Sequence, residues 1–210
     1  MSISNSENIL NENILNYGTS ERINKLKNIL EKRQTSITIV MENIADAHNF
    51  SACLRSCDAV GIFEVNLLYH SGQAFPVSNK TSSASANKWI NIKKFTSVEE
   101  CFSKLHNEGR KIYTTHLGVK SVSLYDLDLT QNIALVFGNE HSGVSSDALS
   151  LADGNFLIPQ VGAIQSLNIS VACAVSVFEA FRQRYSKGLF DKPELTETEI
   201  KSNLKDWLLK

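Results

Sequence analysis

Asn49 and Arg55 stand six residues apart in the segment NFSACLRS, residues 49–56, just downstream of an apolar, strand-like run. A guanidinium is planar and matches phosphate geometry with two parallel hydrogen bonds. It is effectively always protonated, so Arg55 suits clamping a phosphate or stabilising a developing negative charge better than removing a proton. An ordinary surface arginine is the plain alternative, as a simple helix cap is for Asn49. A second segment, FGNEHSGV, residues 137–144, follows the most apolar strand-like run and supplies Gly138 and Glu140. Ligands of open α/β sheets bind beyond the carboxyl ends of the strands, which puts both residues at the mouth of a site. Gly138 allows close approach of backbone to ligand. Glu140 is either an active-site acid or a solvated turn carboxylate. In a third segment, IPQVGAIQSLN, residues 158–168, Ser166 and Asn168 lead into a long helix, as caps or as polar site groups.

Several common chemistries are absent from the pattern. There is no G-x-x-x-x-G-K-[ST] phosphate loop and no G-x-G-x-x-G dinucleotide fingerprint. There is no G-x-S-x-G elbow and no H-E-x-x-H site. Neither His48 nor His141 has a partner at metal-ligand spacing, so no metal is expected and His141 suits a generic polar role. Cys53, Cys57, Cys101 and Cys173 lack paired or zinc-like spacing and read as small buried residues of a reducing compartment. The first residues have neither a basic nor an apolar leader region, and no apolar run approaches membrane length. A cytoplasmic protein without membrane contact is expected. A net charge of -1 excludes a protein basic all over but not local contacts to RNA.

The elements that position these residues alternate between strand and helix. Residues 1–18 are polar, asparagine-rich and expected to be loose. Residues 20–34 carry an apolar stripe of Ile23, Leu26, Ile29 and Leu30 and a basic face with Arg22, Lys25 and Arg33, either a solvated face or a phosphate-contacting arm. Strands are expected at 37–41, 65–69, 89–92, 111–115, 133–137 and 156–158. Helices are expected at 49–59, 97–108, near 145–150 and at 167–185, the last rich in Ala, Val and Ser and suited equally to a core or a subunit interface. Residues 71–88 read as a polar loop. The box Thr196–Glu199 announces a final helix with the stripe Ile200, Leu204, Trp207 and Leu208. The continuous apolar run 133–137 suits a strand covered on both faces of a parallel sheet, and the alternation as a whole argues an α/β fold.

Taken in order, the three segments resemble the motifs of the knotted SPOUT methyltransferases, and most closely the TrmH branch, the tRNA guanosine 2′-O-methyltransferases. The resemblance runs from about residue 20 to the C-terminus. It includes DAVG at 58–61, FEAFR at 178–182, and GLFDKP at 188–193 ahead of the last helix. Residues 81–89, TSSASANKW, are similar to a family loop of the form T-S-G-G-S-x-K-W, with Ser83 and Ala84 in place of glycines. The resemblance implies a mostly parallel α/β sheet with helices on both faces and a C-terminal trefoil knot, a feature that periodicity cannot reveal. The implied layout is a flexible N-terminus over 1–18, a basic helix over 19–35, the methyltransferase domain over 36–188 and a helical extension over 189–210.

By the same resemblance the chain is a homodimer with its sites near the subunit interface. It uses S-adenosylmethionine, requires no metal, and methylates a tRNA ribose, typically guanosine 18 of the D-loop. Arg55, Asn49, Glu140 and Asn168 would be the catalytic group. Leu117, Gly138, Ile158, Ser166 and Leu167 would contact the cofactor. Arg22, Lys25, Arg33 and Arg182 would contact RNA, with Lys25 standing where an arginine is usual. Ribosomal RNA or another tRNA position is the alternative target. A non-catalytic RNA-binding factor is the alternative of another class, and the joint presence of Asn49, Arg55, Glu140, Ser166 and Asn168 speaks against it.

Overall fold

A computed structural model describes residues 18–70, 72–76, 86–118 and 120–210. The expectation of a loose N-terminus, apart from Gly18, and most of the 71–88 loop lie outside these residues. The chain order is α1 (Ser20–Leu30), β1 (Gln34–Glu42), α2 (Ala47–Ala59), β2 (Ile62–Leu68) and β3 (Asn91–Phe95). It continues through α3 (Val98–Asn107), β4 (Lys111–Thr115), β5 (Val122–Ser123), β6 (Ile133–Phe137) and α4 (Ser146–Leu151). It ends with β7 (Gly154–Leu157), α5 (Ile169–Ser186) and α6 (Glu197–Leu208).

The seven strands form one sheet in the order β3-β2-β1-β6-β4-β7-β5, and every paired neighbour is parallel. β6 shows why a central parallel strand reads as an unbroken apolar run. Ile133, Leu135 and Phe137 point into one core with α2 and α5, while Ala134 and Val136 point into the other with α3 and α4. Cys53, Cys57 and Cys173 lie in the first core and Cys101 in the second, all free and buried. Burial pushes the Cys101 thiol up to about 12. Hydrogen bonding with Cys173, followed by burial, also raises that of Cys53.

Most elements fall where the hydrophobic pattern puts them, and the differences have local causes. α1 stops at Leu30 rather than at residue 34, and β1 begins at Gln34, because Arg33 turns inward between them. α2 begins two residues before Asn49 and is capped by Asp46, whose side chain accepts the His48 N–H. Asn49 is therefore inside the first turn, with its side chain free for other partners. β5 is a two-residue strand that no pattern announced. The box at the start of α6 forms in both directions, Thr196 to the Glu199 backbone and Glu199 to the Thr196 backbone.

A third core joins the two ends of the chain. Leu26 and Leu30 of α1 pack against Leu195, Ile200, Leu204, Trp207 and Leu208. Arg184, near the end of α5, anchors the segment leading to α6. Its guanidinium donates to the carbonyls of Leu129 and Gln131 and to Ser36 Oγ, at 2.8–2.9 Å. Glu194 lies 3.4 Å away and accepts the backbone N–H groups of Thr35 and Ser36. Burial lowers the Arg184 pKa to about 10, which leaves it charged at neutral pH.

Candidate active site

A cavity of about 630 Å³ opens beyond the carboxyl ends of β4, β6 and β7. Three segments wall it: residues 115–117, residues 137–144 and residues 156–169. Leu117, Gly138, Ile158, Ser166 and Leu167 all line it, as do Glu140 and Asn168. Residues far apart in sequence meet here because the three strands end at one edge of a parallel sheet.

Gly138 is needed for close packing rather than for an unusual backbone angle. A Cβ there would lie 2.2 Å from the carbonyl carbon of Gly143 and 2.3 Å from the Val144 nitrogen. Asn139 and Gly143 exchange backbone hydrogen bonds of 2.9 Å, which closes residues 139–143 into a tight turn.

Glu140 projects from this turn onto the start of α2. Its Oε2 accepts the Ala45 N–H at 3.1 Å, and its Oε1 accepts the Asp46 N–H at 3.2 Å and the Asn49 Nδ2–H at 3.1 Å. An anion at the N-terminus of a helix is favoured by the free N–H groups and the helix dipole. Partial burial pushes the Glu140 pKa up, but hydrogen bonds from Asn49 and from the backbone of Ala45, Glu140 and Asp46 outweigh it. The carboxyl is held below its ordinary value.

The carboxylate also fixes the orientation of two amides. Asn49 must present its NH2 to Glu140, which leaves Asn49 Oδ1 to accept from Asn168 Nδ2 at 3.1 Å. Asn168 then turns its Oδ1 to the N–H and hydroxyl of Ser170, at 2.8 and 2.6 Å, and so caps α5. The relay Glu140–Asn49–Asn168 joins all three sequence segments. For Asn168, capping and a place at the site coexist.

The remaining expected residues distribute differently. Arg55 is exposed on α2 and is not among the residues lining the cavity. Six residues of helix put it about 9 Å along the axis from Asn49. Among the described residues, no carboxylate is paired with it. Arg22 and Lys25 are exposed on α1, beside a second, larger cleft that Lys32, Trp89, Tyr185 and Phe190 also line. Arg182 is exposed and makes two hydrogen bonds to Glu179.

Arg33 does not belong with these three. It is 1% exposed. Its guanidinium is bound to Asp58 and the Ile62 carbonyl and stacks over Trp207 at 5.2 Å. The helical periodicity that put it on the basic face ends before it, so its charge faces the protein and not solvent. An assignment of Arg33 to RNA contact is corrected to a structural one.

One lining residue had no signal in the pattern. Gln160 Oε1 is buried at the cavity and has no hydrogen-bond partner among the described residues. An unmatched buried acceptor costs about 1–3 kcal/mol, and a ligand carrying N–H or O–H donors would satisfy it. The lining therefore fits a polar ligand with such donors on an otherwise apolar body, including the side chains of Leu117, Ile158 and Leu167.

Residues 36–178 match the SpoU rRNA Methylase family. The chain belongs to this family. The tRNA (guanosine(18)-2′-O)-methyltransferase of Thermus thermophilus is 41% identical over 192 residues, covering 91% of this chain and 98% of that protein. Its counterpart in Escherichia coli is 33% identical, covering 80% and 73%. The crystal structure of the Aquifex aeolicus TrmH/SpoU tRNA modifying enzyme superposes with a TM-score of 0.84 at 36% identity, over 90% of this chain and 95% of that one. In this SpoU-family chain the family match begins after α1 and ends within α5, so α1 and α6 lie outside it, while the Thermus relative covers nearly the whole length.

Proposed function

We propose that the protein transfers a methyl group from S-adenosylmethionine to the 2′-hydroxyl of guanosine 18 in the D-loop of tRNA. What carries this reading is the Glu140–Asn49–Asn168 relay at the mouth of a cavity walled by Gly138, Ile158, Ser166 and Leu167. The relatives that span most of the chain and bear the name of that activity support the choice of nucleotide.

S-adenosylmethionine supplies an electrophilic methyl group when bound. Gly138, Ile158, Ser166 and Leu167 would hold the donor in the cavity, with Leu117 at its side and Gln160 Oε1 free to accept one of its N–H or O–H groups. Glu140 stays ionised and positions Asn49. Asn49 and Asn168 orient the ribose at the cavity mouth, where a correct line of approach supplies much of the rate. Arg55 acts from the substrate side. Its fixed positive charge stabilises the negative charge that develops on the 2′-oxygen as the hydroxyl gives its proton to solvent water, and it steadies the adjoining phosphate.

The working unit is a homodimer. The exposed stripe Val171, Phe178 and Tyr185 on α5, with Val161 and Ile164 before it, offers an apolar surface for a second copy. Pairing of two chains is also what brings Arg55 into play at a cavity that it does not line within one chain. The segment between β7 and α5 threads the C-terminal trefoil knot, consistent with its return from the sheet edge to Asn49 on α2. Arg22, Lys25 and Arg182 follow the tRNA backbone. No metal takes part, and the four buried reduced thiols suit the cytoplasm, where the tRNA is.

A tRNA transcript carrying 2′-deoxyguanosine at position 18 tests the reading against its all-ribose counterpart. Methyl incorporation is expected only into the latter. Equal incorporation into both would move the target to another nucleotide.

A further inference from the structure

Behind the cavity wall lies a polar cluster to which no role has been given. Glu42, the last residue of β1, is 1% exposed. Its Oε1 stands 2.7 Å from His70 Nε2, and its Oε2 accepts the backbone N–H of Ser145 at 3.1 Å. A contact that short between an imidazole nitrogen and a carboxylate needs a proton between them, so His70 presents Nε2–H. The backbone N–H of His70 also donates to Asn43 Oδ1 at 3.1 Å. Asn43 has a left-handed backbone with φ 52°, a conformation that asparagine tolerates better than most residues. Its carbonyl accepts Asn139 Nδ2–H at 2.7 Å.

Both ends of the turn carrying Glu140 are thus tied to the end of β1. The tie at the start runs from Asn43 to Asn139, and the tie at the end from Glu42 to Ser145, which caps α4. Within the turn, Asn139 Oδ1 accepts the N–H groups of His141 at 2.9 Å and Ser142 at 3.1 Å. Asn139, His141, Ser142 and Gly143 line the cavity, whereas His70 does not. His70 touches both anchor residues from the end of the neighbouring strand.

We propose that His70 is a positioning residue for S-adenosylmethionine binding, its imidazole acting through Glu42 to fix the turn that walls the cavity. This rests on the assignment of that cavity to the donor. Without the imidazole, Glu42 keeps a buried carboxylate with one partner fewer, and water or a shifted backbone must replace it. The turn tolerates little displacement, because Gly138 and Gly143 already lie closer than any side chain would allow.

Isothermal titration of the full-length protein with S-adenosylmethionine tests this on wild type, His70→Ala and His70→Gln, with tRNA and donor KM measured alongside. Gln carries an amide N–H near the place of the imidazole Nε2. His70→Ala is expected to weaken donor binding about tenfold, the worth of one hydrogen bond to a charged group. The donor KM should rise with it, the tRNA KM should not change, and His70→Gln should recover most of the affinity. Three results would overturn the proposal: donor affinity in His70→Ala within twofold of wild type, no recovery in His70→Gln, or a parallel rise of both KM values. Failure of the wild type to bind the donor would instead remove the cavity assignment, and this inference with it.

Discussion

Glu140 ties the turn after β6 to the start of α2, and a carboxylate held by three N–H donors is poorly suited to accept a proton. Both its oxygens are engaged, by the backbone N–H groups of Ala45 and Asp46 just before α2 and by the Asn49 side chain. Its pKa lies below the ordinary carboxylate value because those hydrogen bonds outweigh its burial. A depressed folded pKa contributes stability that is present above the unfolded value, about 4.3, and lost as pH falls through the folded one. Glu140→Gln should therefore lose less stability than wild type between neutral and strongly acidic pH, as followed by thermal melting. Equal losses would mean that the carboxylate is not held as described. Arg55 makes a different prediction. Arg55→Ala should abolish methylation while donor affinity, read by titration calorimetry, stays near wild type. Near-normal turnover would remove Arg55 from the chemistry. At this scale the three sequence segments lead to Asn49, Glu140 and Asn168, which the fold joins by hydrogen bonds. It could not foresee Gln160 or His70, since neither stands in a pattern and each gains its meaning from neighbours distant in sequence.

Among the elements, the turn between β6 and α4 is the most constrained. A methyl group on Gly138 would lie 2.2 Å from the backbone of Gly143. Gly138→Ala should therefore push the legs of the turn apart and lose donor binding by calorimetry, while circular dichroism remains that of the folded chain. Retained affinity would show that the turn can yield. β6, β4 and α6 were legible because a buried parallel strand, a short amphipathic strand and a capping box each have a pattern of their own. The ends of α1 and α2 were less so. Asp46 competes with Asn49 for the cap, and only the observed bond of Glu140 to Asn49 shows which side chain is spared. Arg33 was misplaced for a related reason. A basic residue beyond the last turn of a helix keeps its apparent face in a periodicity count, but here the chain has already turned inward toward Asp58 and Trp207.

For the whole molecule, the packing of α1 on α6 puts a basic helix at one side of the fold and the cavity at the carboxyl edge of the sheet. With Arg33 internal, Arg22 and Lys25 are exposed basic residues of α1, and the proposed function turns them toward tRNA. Replacing both by Ala should weaken tRNA binding and reduce the slope of log K against log salt by about 2, one unit per phosphate contact. An unchanged slope would mean that this face is only solvated. The α/β class and the parallel sheet followed from the alternation of elements. The order of the strands did not, because β6 enters between β1 and β4 through contacts that no local pattern encodes. The central claim is the reaction, and it is tested most directly by mass spectrometry of an unmodified tRNA transcript incubated with the protein and S-adenosylmethionine. Nucleolytic fragments should carry one added methyl group, as 2′-O-methylguanosine at position 18. A methyl group at any other nucleotide, or none, would contradict it.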